Sequence, residues 1–243
     1  MSVHSRYISG ALAMYDGHRK SIVDAFGTDV IKYVDDFVHV PVDDTTGDPT
    51  AWTTTVVEAG TGDSTVTSAN ISGGGLLITT AANENDGANI QLNGESFKLA
   101  SGNLLYFGAR LKVSDATQSD LFAGLAITDT DILGGVTDRI GFQKLDGSTD
   151  LTFALEKDST ETLTSALHTV ADDTYVKIEF FVDYSGSTAN VAIFVDNVEQ
   201  TAPAVTNLPD NEELRVSFHY LAGEAAAKTA TIDWVRCIQF NRN

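Results

Sequence analysis

The chain has 243 residues, 42% of them hydrophobic, and 34 acidic against 15 basic side chains give it a net charge of −19. No run approaches the roughly 20 apolar residues of a membrane helix, and so acidic a chain repels nucleic-acid phosphates; neither membrane nor nucleic acid is an expected partner. The lone Cys237 excludes an intrachain disulfide, and ordinary apolar content with only 4 prolines describes a folded chain rather than a disordered one.

Residues 1–33 differ from the rest. Arg6, Arg19, Lys20 and Lys32 face Asp16, Asp24 and Asp29, a balance of +1 that leaves −20 for the other 210 residues. Too few apolar residues precede Ala11-Leu12-Ala13 for a signal peptide, so the Asn70-Ile71-Ser72 sequon is expected to stay unmodified. Ile22, Val23, Phe26, Val30 and Ile31 recur at spacings of three and four, which predicts a short helix; Gly10, Gly17 and Gly27 interrupt any longer one. Two readings of this arm stand side by side: a cap tucked onto the domain, or an arm that docks onto another subunit.

From Tyr33 the period becomes two, the spacing of strands. Leu105, Phe107, Ala109, Leu111 and Val113 alternate with Arg110 and Lys112. Val176, Ile178, Phe180, Val182 and Tyr184 alternate with Lys177, Glu179 and Asp183, and Leu214, Val216, Phe218 and Tyr220 with Arg215, Ser217 and His219. Shorter strands are predicted over 76–80, 88–92, 121–128, 139–145, 151–155, 191–195 and 229–240. Asp146-Gly147 and Asp196-Asn197 tolerate the positive φ of tight hairpins; Gly73-Gly74-Gly75 and Gly134-Gly135 mark longer connections. After residue 34 the only helix candidate is Ala222 to Lys228, weakened by Gly223. The fold class expected is all-β: a two-sheet antiparallel jelly-roll sandwich over 34–243, preceded by a short, partly helical arm over 1–33.

The search for chemistry finds little at fixed spacing. Glu179 and Asp183, four residues apart on one strand, stand about 13 Å apart, too far for a retaining glycosidase pair, and read as solvated face residues. His4, His18, His39, His168 and His219 form no metal-ligand pair, Cys237 reads as inert and buried on the last strand, and nucleophile elbow, phosphate loop and dinucleotide fingerprint are missing. Asp43, Asp44 and Asp48 crowd one loop and Asp129 with Asp131 another, without the spacing of an EF-hand. Neither a cofactor nor a metal is expected. Trp52, Trp234, Tyr106, Phe181 and Phe194 either stack on sugars or fill the core; Phe181 and Phe194 lie opposite their strands' main apolar set, under a loop or at an oligomer interface.

Asp36-Phe37-Val38 with Trp52, Gly74-Gly75-Leu76-Leu77-Ile78-Thr79, Leu104-Leu105-Tyr106-Phe107, Phe122-Ala123-Gly124-Leu125, Ile193-Phe194-Val195-Asp196-Asn197 and Thr231-Ile232-Asp233-Trp234 together resemble the concanavalin A-like, laminin-G-like jelly rolls of tailed-bacteriophage structural proteins. A less acidic arm ahead of such a domain is similar to capsid decoration, or cement, proteins. The resemblance implies a non-enzymatic virion protein on the outer capsid surface that clamps neighbouring major capsid subunits, as a homo-oligomer, trimer or dimer. Arg6, Tyr7, Arg19 and Lys20 are the expected capsid contacts, because Arg and Tyr concentrate binding energy at interfaces. The alternative is a glycan-binding module on a virion fibre or cell surface, holding a host glycan with exposed aromatics and loop carboxylates. A third reading, a sandwich glycoside hydrolase, needs two carboxylates brought within about 5.5 Å by the fold.

Overall fold

The structure, a computed structural model, describes residues 3–210 and 212–241. Every regular element among the described residues is a strand, so no helix is present that could cross a membrane. Strands β1 (His4–Ile8), β2 (Ala11–Tyr15) and β3 (Ile22–Phe26) form a small antiparallel meander. There follow β4 (Val30–Asp35), β5 (Trp52–Val57), β6 (Thr65–Ser68), β7 (Leu76–Thr79), β8 (Gly87–Leu92), β9 (Phe97–Lys98), β10 (Leu104–Val113) and β11 (Ser119–Ala126). The chain continues through β12 (Arg139–Lys144), β13 (Asp150–Lys157), β14 (Thr160–Thr169), β15 (Val176–Asp183), β16 (Asn190–Val195), β17 (Val198–Glu199), β18 (Glu213–Ala222) and β19 (Thr229–Phe240).

These make two antiparallel sheets. Sheet I runs β17-β16-β15-β10-β19-β7-β6, with β4 also beside β19; sheet II runs β14-β13-β12-β11-β18-β8-β5, with β9 beside β18. The alternation dictates which residues meet between them. Phe107 and Phe180 of sheet I stack at 5.1 Å, and Phe153 of sheet II meets Phe180 edge-on at 5.5 Å, an arrangement aromatic pairs favour. The chain is thus an all-β, two-sheet sandwich, as the period-two pattern predicts. Cys237 is buried and unpaired on β19. Asp196 and Asn197, at φ 48° and 66°, turn β16 into β17, and Gly147, at φ 74°, lies between β12 and β13.

The predicted helix in the arm is not there. Ile22, Val23, Val30 and Ile31 are β-branched and suit pleated strands better than a helix, and Gly27-Thr28-Asp29 turns β3 into β4. The three-and-four spacing arose from two short strands on either side of that turn. Likewise 223–228 is irregular. The boundary between residues 33 and 34 falls inside β4, whose residues Val30 to Asp35 pair with Phe240 to Val235 of β19.

The meander lies on the outer face of sheet I. Ile8, Ala11, Ala13, Ile22 and Ala25 pack on Tyr106, Phe181, Ile238 and Phe240 in a second apolar core, which explains why Phe181 faces away from the first. Small Ala11, Ala13 and Ala25 let the two layers approach closely.

Candidate functional site

The residues of the outer face of sheet I fall into cross-strand rows. One row holds Phe194, Glu179, Gly108 and Arg236; the next holds Lys177, Arg110 and Trp234, extended by Asp196, whose N–H donates to the Lys177 carbonyl. The meander covers the first row and leaves the second at its border.

Glu179 is fully buried under this cover, and reading it as a solvated face residue is corrected. Alternation put it opposite the main core, but the meander supplied a second interior. Its carboxylate accepts from Ser21 Oγ at 2.5 Å, Tyr106 Oη at 2.9 Å and His18 Nε2 at 3.2 Å, and lies 3.0 Å from Lys177 Nζ. Burial opposes the charge, but the His18 hydrogen bond, the Lys177 charge and the Ser21 hydrogen bond outweigh it and hold the group below the usual carboxylate range. Gly108 makes this possible: a Cβ there would occupy the position of the Tyr106 hydroxyl. His18 also stacks on Phe194 at 3.9 Å. The cluster clamps the β2–β3 loop onto the sheet.

Beside the clamp runs a groove of about 350 Å³, lined by Asp16, Ser21 and Val23 from the meander, Arg110, Lys177, Trp234 and Arg236 from the sheet, and Asp196 with Asn197 from the β16–β17 turn. Trp52, Tyr106, Phe181 and Phe194 are buried, so of the five aromatics singled out in the sequence only Trp234 stays accessible. The Arg236 guanidinium backs its indole at 4.4 Å. Arg110 donates to Asp233 at 2.5 Å and Arg236 to Asp36 at 3.2 Å, leaving most guanidinium N–H groups uncommitted. Two buried polar atoms of lining residues have no partner: Asp16 Oδ1, an acceptor, and Arg236 Nε, a donor. Each costs about 1–3 kcal/mol until it is paired.

A second polar surface lies on the outer face of sheet II, closed over by loop 127–138. Ile132 and Val136 pack on Phe122 and Ala126, while Asn89, Gln91 and Arg139 donate to the carbonyls of Asp129, Ile127 and Ile132 at 2.6, 2.9 and 2.9 Å. His219 is buried here with both ring nitrogens unpartnered, and burial pulls it down to about 4. Glu156 and Glu161 oppose each other across β13 and β14, and Arg139 engages both, at 2.7 and 2.5 Å. Burial raises Glu156 against the pull of Arg139. This carboxylate pair escaped a search along single strands because a hairpin assembles it.

The capsid-contact candidates occupy the meander. Tyr7 is 77% exposed and Arg19 exposed; Arg6 donates to the Arg19 carbonyl at 2.7 Å, and Lys20 lies 3.6 Å from Glu199. The crowded aspartates serve as turn caps: Asp43 accepts from the N–H groups of Thr45 and Thr46, Asp129 from that of Asp131, and Asp131 from that of Gly134.

No protein family and no curated protein matches the chain. Solved structures do. An endo-1,3-β-glucanase from Streptomyces sioyaensis superposes with TM-score 0.63 at 13% identity, over 90% of this chain and 99% of that one. The carbohydrate recognition domain of Emp46p, in its potassium-bound form, gives 0.58 at 10% identity over 84% and 95%. An endo-β-1,4-glucuronan lyase from Trichoderma reesei gives 0.50 at 11% identity over 74% and 89%. The fold is the concanavalin A-like jelly roll of lectin domains and glucanases. The expectation that the chain is no enzyme is overturned with it: a glucanase and a lyase carry the same sandwich, so this architecture gives no ground for excluding catalysis.

Proposed function

We propose that the chain is a glycan-binding module whose site is the groove beside the meander. The observation that carries this is the convergence of an accessible indole, Trp234, with the polar side chains of Asp16, Arg110, Lys177, Asn197 and Arg236 around one cavity. A sugar presents an apolar ring face to the indole and hydroxyls that both donate and accept, so one ligand suits an indole bordered by acidic, basic and amide side chains. Arg110, Lys177 and Asn197 supply further polar contacts along its edge. The jelly roll shared with the Emp46p recognition domain supports the reading at the level of fold. A glycan array probed with wild-type chain and with Trp234→Ala tests it. Binding to a defined set of glycans, lost in the variant while its circular dichroism is unchanged, is the expected result; equal binding by both sinks the placement.

A second reading seats the chain on the outer surface of a phage capsid through the meander. What favours it is an exposed cross-strand row of Tyr7, Leu12 and Phe26 on the face turned away from the sandwich. Co-sedimentation with undecorated capsids that survives Tyr7→Ser and Phe26→Ser together would remove it.

A further inference from the structure

The geometry points to a peptide-docking edge on the meander: an extended acidic polypeptide segment of another protein adds a strand to β1 and seats its carboxylates on Arg6 and Lys20. This is separate from the glycan groove and stands without it.

Backbone comes first. The two-residue turn Ser9-Gly10, with φ 47° and 82°, closes the β1–β2 hairpin on the pair Ile8–Ala11. The closing pair of such a hairpin is hydrogen-bonded, and bonded and non-bonded pairs alternate along it. Arg6 therefore bonds to Ala13, whereas the N–H and C=O groups of Ser5 and Tyr7 point outward. No strand pairs with that outer edge among the described residues, and an open edge of this kind recruits an incoming strand.

Side chains then fix the chemistry. Alongside the edge runs a groove of about 380 Å³ lined by Arg6, Tyr7, Ile8, Ser9 and Lys20 on one wall and by Leu104, Phe181, Asp183 and Ser185 on the other. Three of the four contacts expected from sequence thus converge on one surface. Arg6, Arg19 and Lys20 crowd together in a chain of net charge −19; burial and the neighbouring Arg19 both press on the Arg6 charge. Arg6 Nε is buried without a partner. Lys20 lies 5.9 Å from the Phe194 ring centre and pairs with the exposed Glu199 at 3.6 Å, a kind of ion pair worth little at a surface and open to exchange for an incoming carboxylate. Against these cations the groove sets a single acid, Asp183. Guanidinium and carboxylate pair with matched geometry, so the complementary ligand is acidic, and the open strand edge requires it to be extended.

The test is fluorescence anisotropy with a labelled peptide of alternating Glu and Val, and with the same peptide carrying Lys for Glu. The Glu peptide is expected to bind, more weakly as salt rises, and Arg6→Glu with Lys20→Glu to lower its affinity about tenfold or more. Because that double variant also alters the Arg6–Arg19 contact, hydrogen exchange on the wild-type chain gives a second reading: the Ser5 and Tyr7 amides gain protection when the Glu peptide is present. Equal binding of the Lys peptide, or no protection at Ser5 and Tyr7, overturns the proposal. So does concentration-dependent self-association abolished by the same two substitutions, which would make a second copy the occupant.

Discussion

His219 offers a direct test of the sealed surface on sheet II, because its ring is buried with neither nitrogen bonded. Desolvation disfavours its charged form; the Asp131 and Asp129 carboxylates pull the other way and Arg139 reinforces the burial, leaving the group at about 4 against an ordinary 6.5. For a base held below its unfolded value, the unfolded chain binds the extra proton between the two values. Stability is therefore full above about 6.5, falls as pH drops through that window and levels off below about 4. At about 1.4 kcal/mol for each factor of ten, the window is worth about 3 kcal/mol, a sizeable part of a typical domain stability of about 5–15 kcal/mol. Carboxylates titrate in the same range, so the measurement is a difference: urea unfolding of wild-type chain and of His219→Gln at a series of pH values. Relative to the variant, the wild-type chain should lose about 3 kcal/mol on acidification from neutral to about pH 4. A flat difference would refute the reasoning, showing that the imidazole finds a partner or solvent when loop 127–138 is in place.

Other consequences are as readily measured. Glu179→Gln keeps one acceptor oxygen for Ser21 and Tyr106 but removes the charge and turns an amide NH2 toward Lys177 and His18, so a loss of about 2–3 kcal/mol is expected, seen as a melting temperature lower by about 5–10 °C. The same carboxyl, held below its ordinary 4.5, stabilises fully above that value, and its contribution disappears as pH falls through the folded value; protease cleavage within residues 1–33 should accelerate there. Gly124→Ala sets a Cβ against the Ile140 carbonyl oxygen and the Gly141 backbone and should cost about 2–4 kcal/mol in urea unfolding. Phe180→Ala opens the centre of the sandwich, where Phe107, Phe142 and Phe153 all meet it, at about 3–5 kcal/mol.

How much of this was legible in the sequence depended on whether one interior or two explained a residue. Wherever a strand faces the main core on one side, as at Leu105 to Val113 or Val176 to Val182, alternation named the buried residues. Asp196-Asn197 and Asp146-Gly147 were readable because few residue types accept positive φ. The hairpin at Asp158-Ser159, with φ 51° and 60°, carries a weaker turn signal. The strand it begins, β14, is an exposed edge of threonines with no apolar alternation, so neither was found, nor was the Glu156–Glu161 pair they create. The meander hid in another way. Its strands are short and broken by glycines, so helical spacing arose by coincidence, and only a second layer on sheet I explains why Glu179, Phe181 and Phe194 are buried. Of the site, Trp234, Arg6, Tyr7 and Lys20 were singled out by residue type; Asp16, Arg110, Lys177 and Arg236 had no sequence signal, because strands distant in the chain bring them together.

The position of β19 bears on how the chain acquires its shape. It is the last strand in chain order, yet it sits inside sheet I, flanked by β10 on one side and by β4 and β7 on the other. Until it arrives, three strands present unsatisfied ladders and the Phe107 side of the core has no complete wall. Such long-range closure makes folding slow and leaves open edges exposed while the chain is being synthesised. Nascent chains that lack residues 229–240 should therefore associate through those edges, and expression yield should respond to chaperone supply more than the finished domain's stability would suggest.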